Sequence, residues 1–204
     1  MALGTIQGTA NIEDCYLQAS NPTTNFNDDS IIDGQDTTDA TVRRGLIQFS
    51  LTSIPSGATI NGGTITLTVR IDRSANARLL SFYRVRRDWV VTEATWNAYS
   101  TGNNWTTAGA ADTTNDRESD ASGTVTQPAV MAVDEKLSIT LTPSKLQDMI
   151  PGGTWTNNGF LLQVATESDD AILYHSTNQG TLANGPILVI DYTPGSSGLF
   201  TKYW

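Results

Sequence analysis

The sequence is poor in the residues that build most metal and nucleophile sites. Its 204 residues include a single cysteine, Cys15, and a single histidine, His175. One cysteine cannot form an internal disulfide, and one thiol and one imidazole are too few for a zinc or copper site. We therefore expect Cys15 to be a small buried residue in the first strands.

Basic residues and long apolar runs are scarce as well. The chain has 12 Lys and Arg against 21 Asp and Glu, a formal net charge of −9. Nucleic acids and anionic membranes both require a basic face, so this balance predicts neither as a partner. No apolar run is long enough to span a membrane, and residues 1–10 lack the basic and apolar regions of a secretory signal.

Alternation of apolar and polar residues dominates what is present. It is cleanest in residues 58–73, where Ile65, Leu67 and Val69 alternate with threonines. A period of two predicts a strand with one buried face, and Asn61-Gly62-Gly63 predicts a bulge in it. The same reasoning predicts strands over 42–51, 79–91, 136–141, 160–164, 171–174 and 186–192. Short strands separated by Gly, Asn and Pro favour a β-sandwich.

Two segments depart from this pattern. A short helix is predicted over 144–150, with Thr142 as the cap and Pro143 at its first position. Residues 98–131 are rich in small polar residues and predict a long surface excursion with one strand inside. Its acidic loop, 112–120, lacks the glycine and glutamate of an EF-hand, so we interpret it as a solvated loop.

Six pieces of sequence, taken in order, resemble one family. They are residues 20–26, 44–51, 53–60, 83–97, 157–162 and 186–192. Together they resemble DNRLRE-type domains, jelly-roll modules related to disaggregatase and to alginate-binding carbohydrate modules. The resemblance implies a two-sheet jelly roll. Together with the strand pattern and the predicted helix, it predicts an all-β, two-sheet antiparallel jelly-roll sandwich over residues 1–193, with one short helix. It also implies an extracellular module that attaches to polysaccharide or accompanies an enzyme.

The last residues form a separate feature. Residues 194–198 have the composition of a flexible linker, and an aromatic peptide follows. Its apolar side chains predict a docking segment for a groove on the same domain or on a neighbouring subunit. These side chains are Leu199, Phe200, Tyr203 and Trp204.

Oxygen ligands suggest a structural calcium ion, because hard cations prefer carboxylates and carbonyls. The first and last strands of a jelly roll lie near each other, so acids from both could surround one ion. The alternative is a set of solvated turn residues. The candidate ligands are Asp14, Asn25, Asp28, Asp33 and Asp191.

Three aromatic residues are candidates for sugar contact, because flat rings pack on sugar faces. Tyr99, Trp105 and Trp155 stand in polar, loop-like sequence and are expected to be exposed platforms. Trp89 and Trp96, in contrast, are expected in the core.

Several arginines could line one sheet surface by alternation. Such a stripe would suit an anionic polysaccharide, or the arginines could pair across strands with acids. They are Arg70, Arg84 and Arg86, together with Arg43 and Arg44.

Three functions remain open at this point. The first is a non-enzymatic structural or adhesive module on a phage virion surface, as capsid decoration or as a tail or fibre component, with protein partners or copies of itself. The second is a secreted module that binds an anionic polysaccharide. The third is a small polysaccharide lyase or hydrolase, for which Asp88 and Glu93 could supply paired acids. The expected location is a virion surface or the extracellular space.

Overall fold

The strands predicted from alternation are present in the computed structural model, which describes residues 1–27, 30–36, 41–167, 171–179 and 181–195. In this described part, one α-helix, α1, spans Pro143–Met149, and a 3-10 turn spans Thr177–Gln179. The strands are β1 (Ala2–Gln7), β2 (Ile12–Gln18), β3 (Ser30–Asp36), β4 (Thr41–Phe49), β5 (Thr59–Asp72), β6 (Arg78–Arg84), β7 (Ala98–Ser100), β8 (Asn103–Asn104), β9 (Gly123–Gln127), β10 (Lys136–Leu141), β11 (Phe160–Val164), β12 (Ala171–His175) and β13 (Ile187–Thr193).

Two antiparallel sheets share the long strand β5. In the first sheet, β1 pairs with β13, β13 pairs with β5, and β10 also pairs with β5. The last residues of β5 pair with β12, and the second sheet continues through β3, β4, β11, β6 and β9, with β2 also on β4. The prediction of an all-β, two-sheet antiparallel sandwich with one short helix is confirmed.

A bulge lies where the asparagine and glycine residues predict it. Asp191 on β13 faces Gly62, whereas the next residue, Tyr192, faces Ile60. Asn61 is therefore an extra residue on β5, as in a β-bulge. The prediction of a bulge at this point is confirmed.

The main core fills the space between the two sheets. Ile65 and Leu67 of β5 and Leu188 of β13 contribute from the first sheet, and all three are fully buried. Phe82 and Phe160 contribute from the second sheet, with their rings edge to face at 6.3 Å. Alternate residues of each strand thus build one apolar layer.

A second apolar cluster covers the outer face of the second sheet. Leu46 and Leu161 belong to it, whereas their neighbours Ile47 and Phe160 belong to the main core. Successive residues of a strand point to opposite faces, so the second cluster lies on the other side of the sheet. Trp105, from the excursion, is buried in it. Residues 98–131 are therefore not a simple surface excursion, because part of the segment packs onto the sheet.

Buried polar contacts hold this excursion in place. Asp116 is fully buried, and its carboxylate accepts the backbone N–H groups of Thr106 at 2.8 Å and Thr107 at 2.9 Å. The guanidinium of Arg44 donates to the carbonyl of Gly109 at 2.6 Å. The interpretation of residues 112–120 as a solvated loop is wrong at Asp116, because these donors replace water around its carboxylate.

Other local predictions need smaller corrections. The strand expected over 79–91 ends at Arg84, because the N–H of Arg86 then bonds to the carbonyl of Asp116 in the excursion. Thr142 is the N-cap residue of α1, but its side chain makes no capping hydrogen bond. Cys15 is buried in β2, as expected. Among the described residues, no helix has the length and apolar character needed to cross a membrane.

Candidate functional site

Three adjoining cavities form a furrow on the protein surface. Their volumes are about 320, 420 and 180 Å³. The first two share Leu51, Thr52 and Asn157, and the last two share Thr9, Ile12 and Glu13. We call the three cavities together the furrow. Its continuity, with a lining that mixes polar and apolar residues, suits an extended ligand with both kinds of surface better than a compact apolar one.

Trp155 lines one end of the furrow. It follows α1, and its backbone N–H donates to the carbonyl of Asp148 at 2.9 Å. Its indole N–H donates to the carbonyl of Val85 at 3.4 Å, and the half-buried ring packs against the main core. Both ends of the residue are thus fixed by backbone contacts.

Three of the residues predicted for sugar binding meet at this ring. The guanidinium carbon of Arg84 lies 4.0 Å from the ring centroid of Trp155, and that of Arg86 lies 4.4 Å from it. Both are cation–π contacts. The expectation that Trp155 is an exposed platform is wrong, because the ring is half-buried and arginines already lie over it.

The two arginines differ in what neutralises their charge. Arg84 is buried, and it donates two hydrogen bonds to Glu118, both at 2.9 Å, and one to Asp148 at 3.1 Å. Arg86 is exposed and donates to the carbonyl of Arg117 at 3.3 Å. Within the described ranges no carboxylate pairs with Arg86, so its charge is available at the surface.

The ion pair between Arg84 and Glu118 also shifts the pKa values of both groups. Burial by itself lowers the pKa of Arg84, but the hydrogen bonds and charges of Glu118 and Asp148 raise it above its usual value. Burial likewise raises the pKa of Glu118, but hydrogen bonds from Arg84 and Lys145 lower it below its usual value. Both groups are therefore charged at neutral pH.

The other predicted sugar residues lie away from the furrow. Trp105 is only 4% exposed, and its indole N–H donates to the carbonyl of Thr95 at 2.9 Å, so the expectation that it is a platform is wrong. Tyr99 is half-buried and packs on Trp105 with 5.5 Å between ring centroids. Arg70 is half-buried on β5, where the register with β12 shifts.

Trp89 and Trp96 differ in burial although both were expected in the core. Trp89 is buried, and its indole N–H donates to the carbonyl of Asn158 at 2.8 Å. Trp96 is only half-buried, beneath Arg44 with 5.2 Å between the guanidinium carbon and the ring centroid. Gly109 lies so close to this ring that a side-chain carbon there would come within 2.6 Å of it.

The sequence candidates for calcium do not form one group in the described part of the chain. Asp14 is on β2 of the second sheet, where its carboxylate accepts the N–H and hydroxyl of Thr177 at 2.9 and 2.8 Å. Asp191 is on β13 of the first sheet. Asp28 and the side chain of Asp33 lie outside the described residues.

The remaining candidate, Asn25, has a structural contact. Its side-chain amide donates to the carbonyls of Val91 and Ala94 at 2.9 and 2.7 Å. No group of three or more His, Cys, Asp or Glu that could hold a metal occurs among the residues that were described. Calcium binding stays a prediction.

The single histidine, its neighbour Ser176 and the acid Glu93 have structural contacts. His175 Nε2 lies 3.5 Å from a carboxylate oxygen of Asp134. Its neighbour Ser176 is buried, and the hydroxyl accepts the N–H of Asn178 at 3.0 Å. Glu93 accepts the N–H of Thr101 at 2.7 Å. These contacts orient loops, and none of them pairs a hydroxyl with a base.

Comparison with known families decides the class of the protein. A sequence model of carbohydrate-binding module family 96 matches residues 5–151, well over half of the chain. The chain belongs to this family. No curated protein matches the sequence. In this family 96 module the match includes Arg84 and Arg86 and ends before Trp155.

The sequence did not identify the residues that line the middle of the furrow. Asn11, Ser50, Thr52 and Asn157 line it, and all four lie outside the strands and the helix. Turn residues have the same polar character whether or not the surface binds a ligand. Only the pairing of β2 with β4, which brings Ile12 opposite Phe49, places these turns side by side in the family 96 module.

Proposed function

We propose that this chain is a non-catalytic module that binds an anionic polysaccharide along the furrow, with Arg86 as its charged contact. The observation that carries the proposal is the exposed guanidinium of Arg86, held over a ring that lines the furrow and lacking a carboxylate partner in the described ranges. The family supplies the ligand class, carbohydrate. The free positive charge supplies the preference for an acidic one.

Stacking on Trp155 favours this role for Arg86. A guanidinium held over a ring loses less conformational freedom when a ligand binds, and it carries the donor pair that matches a carboxylate. Glu13 and Asp14 line the opposite end of the furrow and would repel an acidic sugar there. The acidic unit is therefore proposed to lie at the Trp155 end, and hydroxyl contacts fall to the Asn, Ser and Thr side chains of the middle.

Replacing Arg86 with alanine should weaken binding to polygalacturonate or alginate roughly tenfold or more, because a hydrogen bond to a charged group contributes about 1.5–3 kcal/mol. Isothermal titration calorimetry at low and high salt measures the change. Raising the salt concentration should weaken polysaccharide binding more for the wild-type protein than for the variant. Arg73→Ala removes an exposed arginine that, unlike Arg86, does not lie over the ring of Trp155, and it is the matched control.

Equal losses in Arg86→Ala and Arg73→Ala would show a general charge effect and would overturn the assignment to the furrow. The same samples test for catalysis. Release of reducing ends during the titration would favour a hydrolase over a binding module, and release of unsaturated sugars would favour a lyase.

A narrower hypothesis concerns where such a module acts. We propose that it is a DNRLRE-type structural or adhesive component of a phage virion, which docks on shell or tail proteins, or on its own copies, through Leu199, Phe200, Tyr203 and Trp204. Its support is the aromatic peptide that follows a Gly- and Ser-rich linker. These residues lie outside the described part of the chain.

Removing residues 194–204 tests the self-association part of this hypothesis. If the tail docks on a neighbouring copy, the full-length protein should be an oligomer and the truncated protein a monomer. Light scattering after size-exclusion chromatography gives both masses. Monomers in both forms, at concentrations well above those used for sugar binding, would exclude docking between copies.

A further inference from the structure

A separate cavity, of about 490 Å³, lies beside the β7–β8 hairpin, and it shares no lining residue with the furrow. The hairpin, the segments on either side of it and Thr23 form its walls. We infer that this cavity is a separate binding site for a neutral, hydroxyl-rich sugar unit. The inference does not depend on Arg86 or on the furrow.

The lining combines a small apolar surface with polar walls. Ala98, Ala108 and the small exposed part of the buried Trp105 supply the apolar part, and the other lining residues carry hydroxyl, amide or carboxylate groups. A sugar ring has the same two aspects, C–H faces and a rim of hydroxyls. A concave site with an apolar surface and several polar groups is the usual form of a small-molecule site.

The amides of Asn97 and Asn104 are free to meet a ligand. Both side chains are exposed and line the cavity, and their amide groups make no hydrogen bond within the described ranges. An amide has two donors and an acceptor, so it can pair with two adjacent hydroxyls that each donate and accept.

The charge of the cavity disfavours the acidic ligand proposed for the furrow. Glu93 is the one ionisable side chain in the lining, and one of its oxygens accepts the N–H of Thr101. The other oxygen can accept a sugar hydroxyl, whereas a uronate carboxylate would be repelled. The cavity therefore selects for a neutral sugar.

Backbone contacts hold the walls in place before a ligand arrives. The N–H of Trp105 donates to the carbonyl of Asn97 at 3.0 Å, and the hydroxyl of Thr95 accepts the N–H of Ala98 at 3.1 Å. The N–H of Asn97 donates to the carbonyl of Pro22, which joins the hairpin region to the β2–β3 connection. A preformed site loses less entropy on binding than a mobile loop.

The test uses the full chain and titrates it with cellohexaose, mannohexaose and xylohexaose, with ¹H–¹⁵N NMR to locate the site. At least one neutral sugar should shift the amide signals of residues 93–108. The double variant Asn97→Ala/Asn104→Ala should bind that sugar roughly tenfold more weakly, because each lost hydrogen bond contributes about 0.5–1.5 kcal/mol. Asn61→Ala, an exposed asparagine of the first sheet, is the control and should bind as the wild type does.

The outcomes separate the two sites. If none of the three sugars shifts residues 93–108, or if the double variant binds as well as Asn61→Ala, the second site is excluded while the furrow stands. If polygalacturonate binding proves independent of Arg86 but the neutral sugar still needs both asparagines, the furrow is excluded while the second site stands. Thermal unfolding of each variant checks that the fold is intact.

Discussion

Replacing Trp105 with alanine should lower the free energy of unfolding by about 3–5 kcal/mol, the usual cost of removing a large buried aromatic side chain. Trp105 is 4% exposed and fills the second apolar cluster between the excursion and the outer face of the second sheet. Its ring packs on Tyr99, and its indole N–H satisfies the carbonyl of Thr95. Alanine removes the packing and the hydrogen bond together.

Urea unfolding followed by the fluorescence of the remaining tryptophans measures this change. Val130→Ala is the matched control, because Val130 is 75% exposed and its truncation should change stability by less than about 0.5 kcal/mol. The neutral-sugar cavity should be lost as well, since Trp105 is part of its apolar surface.

A small global effect could still arise if the excursion opens independently of the sandwich. Hydrogen exchange distinguishes the two cases. Faster exchange confined to residues 89–121 in Trp105→Ala would show local opening. Unchanged stability together with unchanged exchange would contradict the description of Trp105 as a structural anchor.

The sandwich could be predicted because its strands carry their own signal. The alternation in β5 and β10 follows from one buried face, and the β10 bounds agree with the prediction. The bulge at Asn61 follows from residue types that a regular strand disfavours. Such signals are local, so they can be recognised without knowing which strands pair with one another.

The excursion could not be predicted in the same way. Its anchors, Trp105 and Asp116, are separated by small polar residues, and their partners are distant in sequence or irregular in structure. A tryptophan in polar sequence is consistent with an exposed platform until a sheet face is known to lie beneath it. Asp116 is similar, because the N–H groups of Thr106 and Thr107 turn toward it only in the folded loop.

The candidate site falls between these two cases. Residue type and alternation indicated Arg84 and Arg86, polar loop-like sequence indicated Trp155, and the structure brings the three together. Alternation could not predict that Arg84 is buried whereas Arg86 is exposed. Arg84 is buried because Glu118 and Asp148 neutralise it, and those acids come from the excursion and from α1.

Arg84→Ala should lower the free energy of unfolding by about 3 kcal/mol at neutral pH, because removing one member of a buried ion pair leaves the other without compensation. The paired groups are Arg84 and Glu118, and Lys145 at 3.0 Å would be the remaining ionic partner of Glu118. The expected loss is at the lower end of the usual range for this reason. Urea unfolding at several pH values measures it.

The pH dependence has a definite sign. The pKa of Glu118 is lower in the folded protein than in the unfolded chain, where it is about 4.3. The contribution of Glu118 to the free energy of unfolding is therefore fully present above the unfolded pKa and is lost as pH falls through the folded pKa. The stability difference between the wild type and Arg84→Ala should therefore shrink in acid. A difference that is constant from neutral to strongly acidic pH would show that Arg84 stabilises through packing alone.

Arg84→Ala should also weaken the binding of polygalacturonate, although Arg84 is buried and neutralised. Arg84 and Arg86 lie over the same ring, so loss of one guanidinium changes how Trp155 holds the other. A double-mutant cycle separates positioning from contact. If Arg84 only positions Arg86, then Arg84→Ala should have no further effect on affinity in the Arg86→Ala background. Additive losses would mean that Arg84 meets the ligand itself, and the separation of the two arginines into a structural and a binding residue would be wrong.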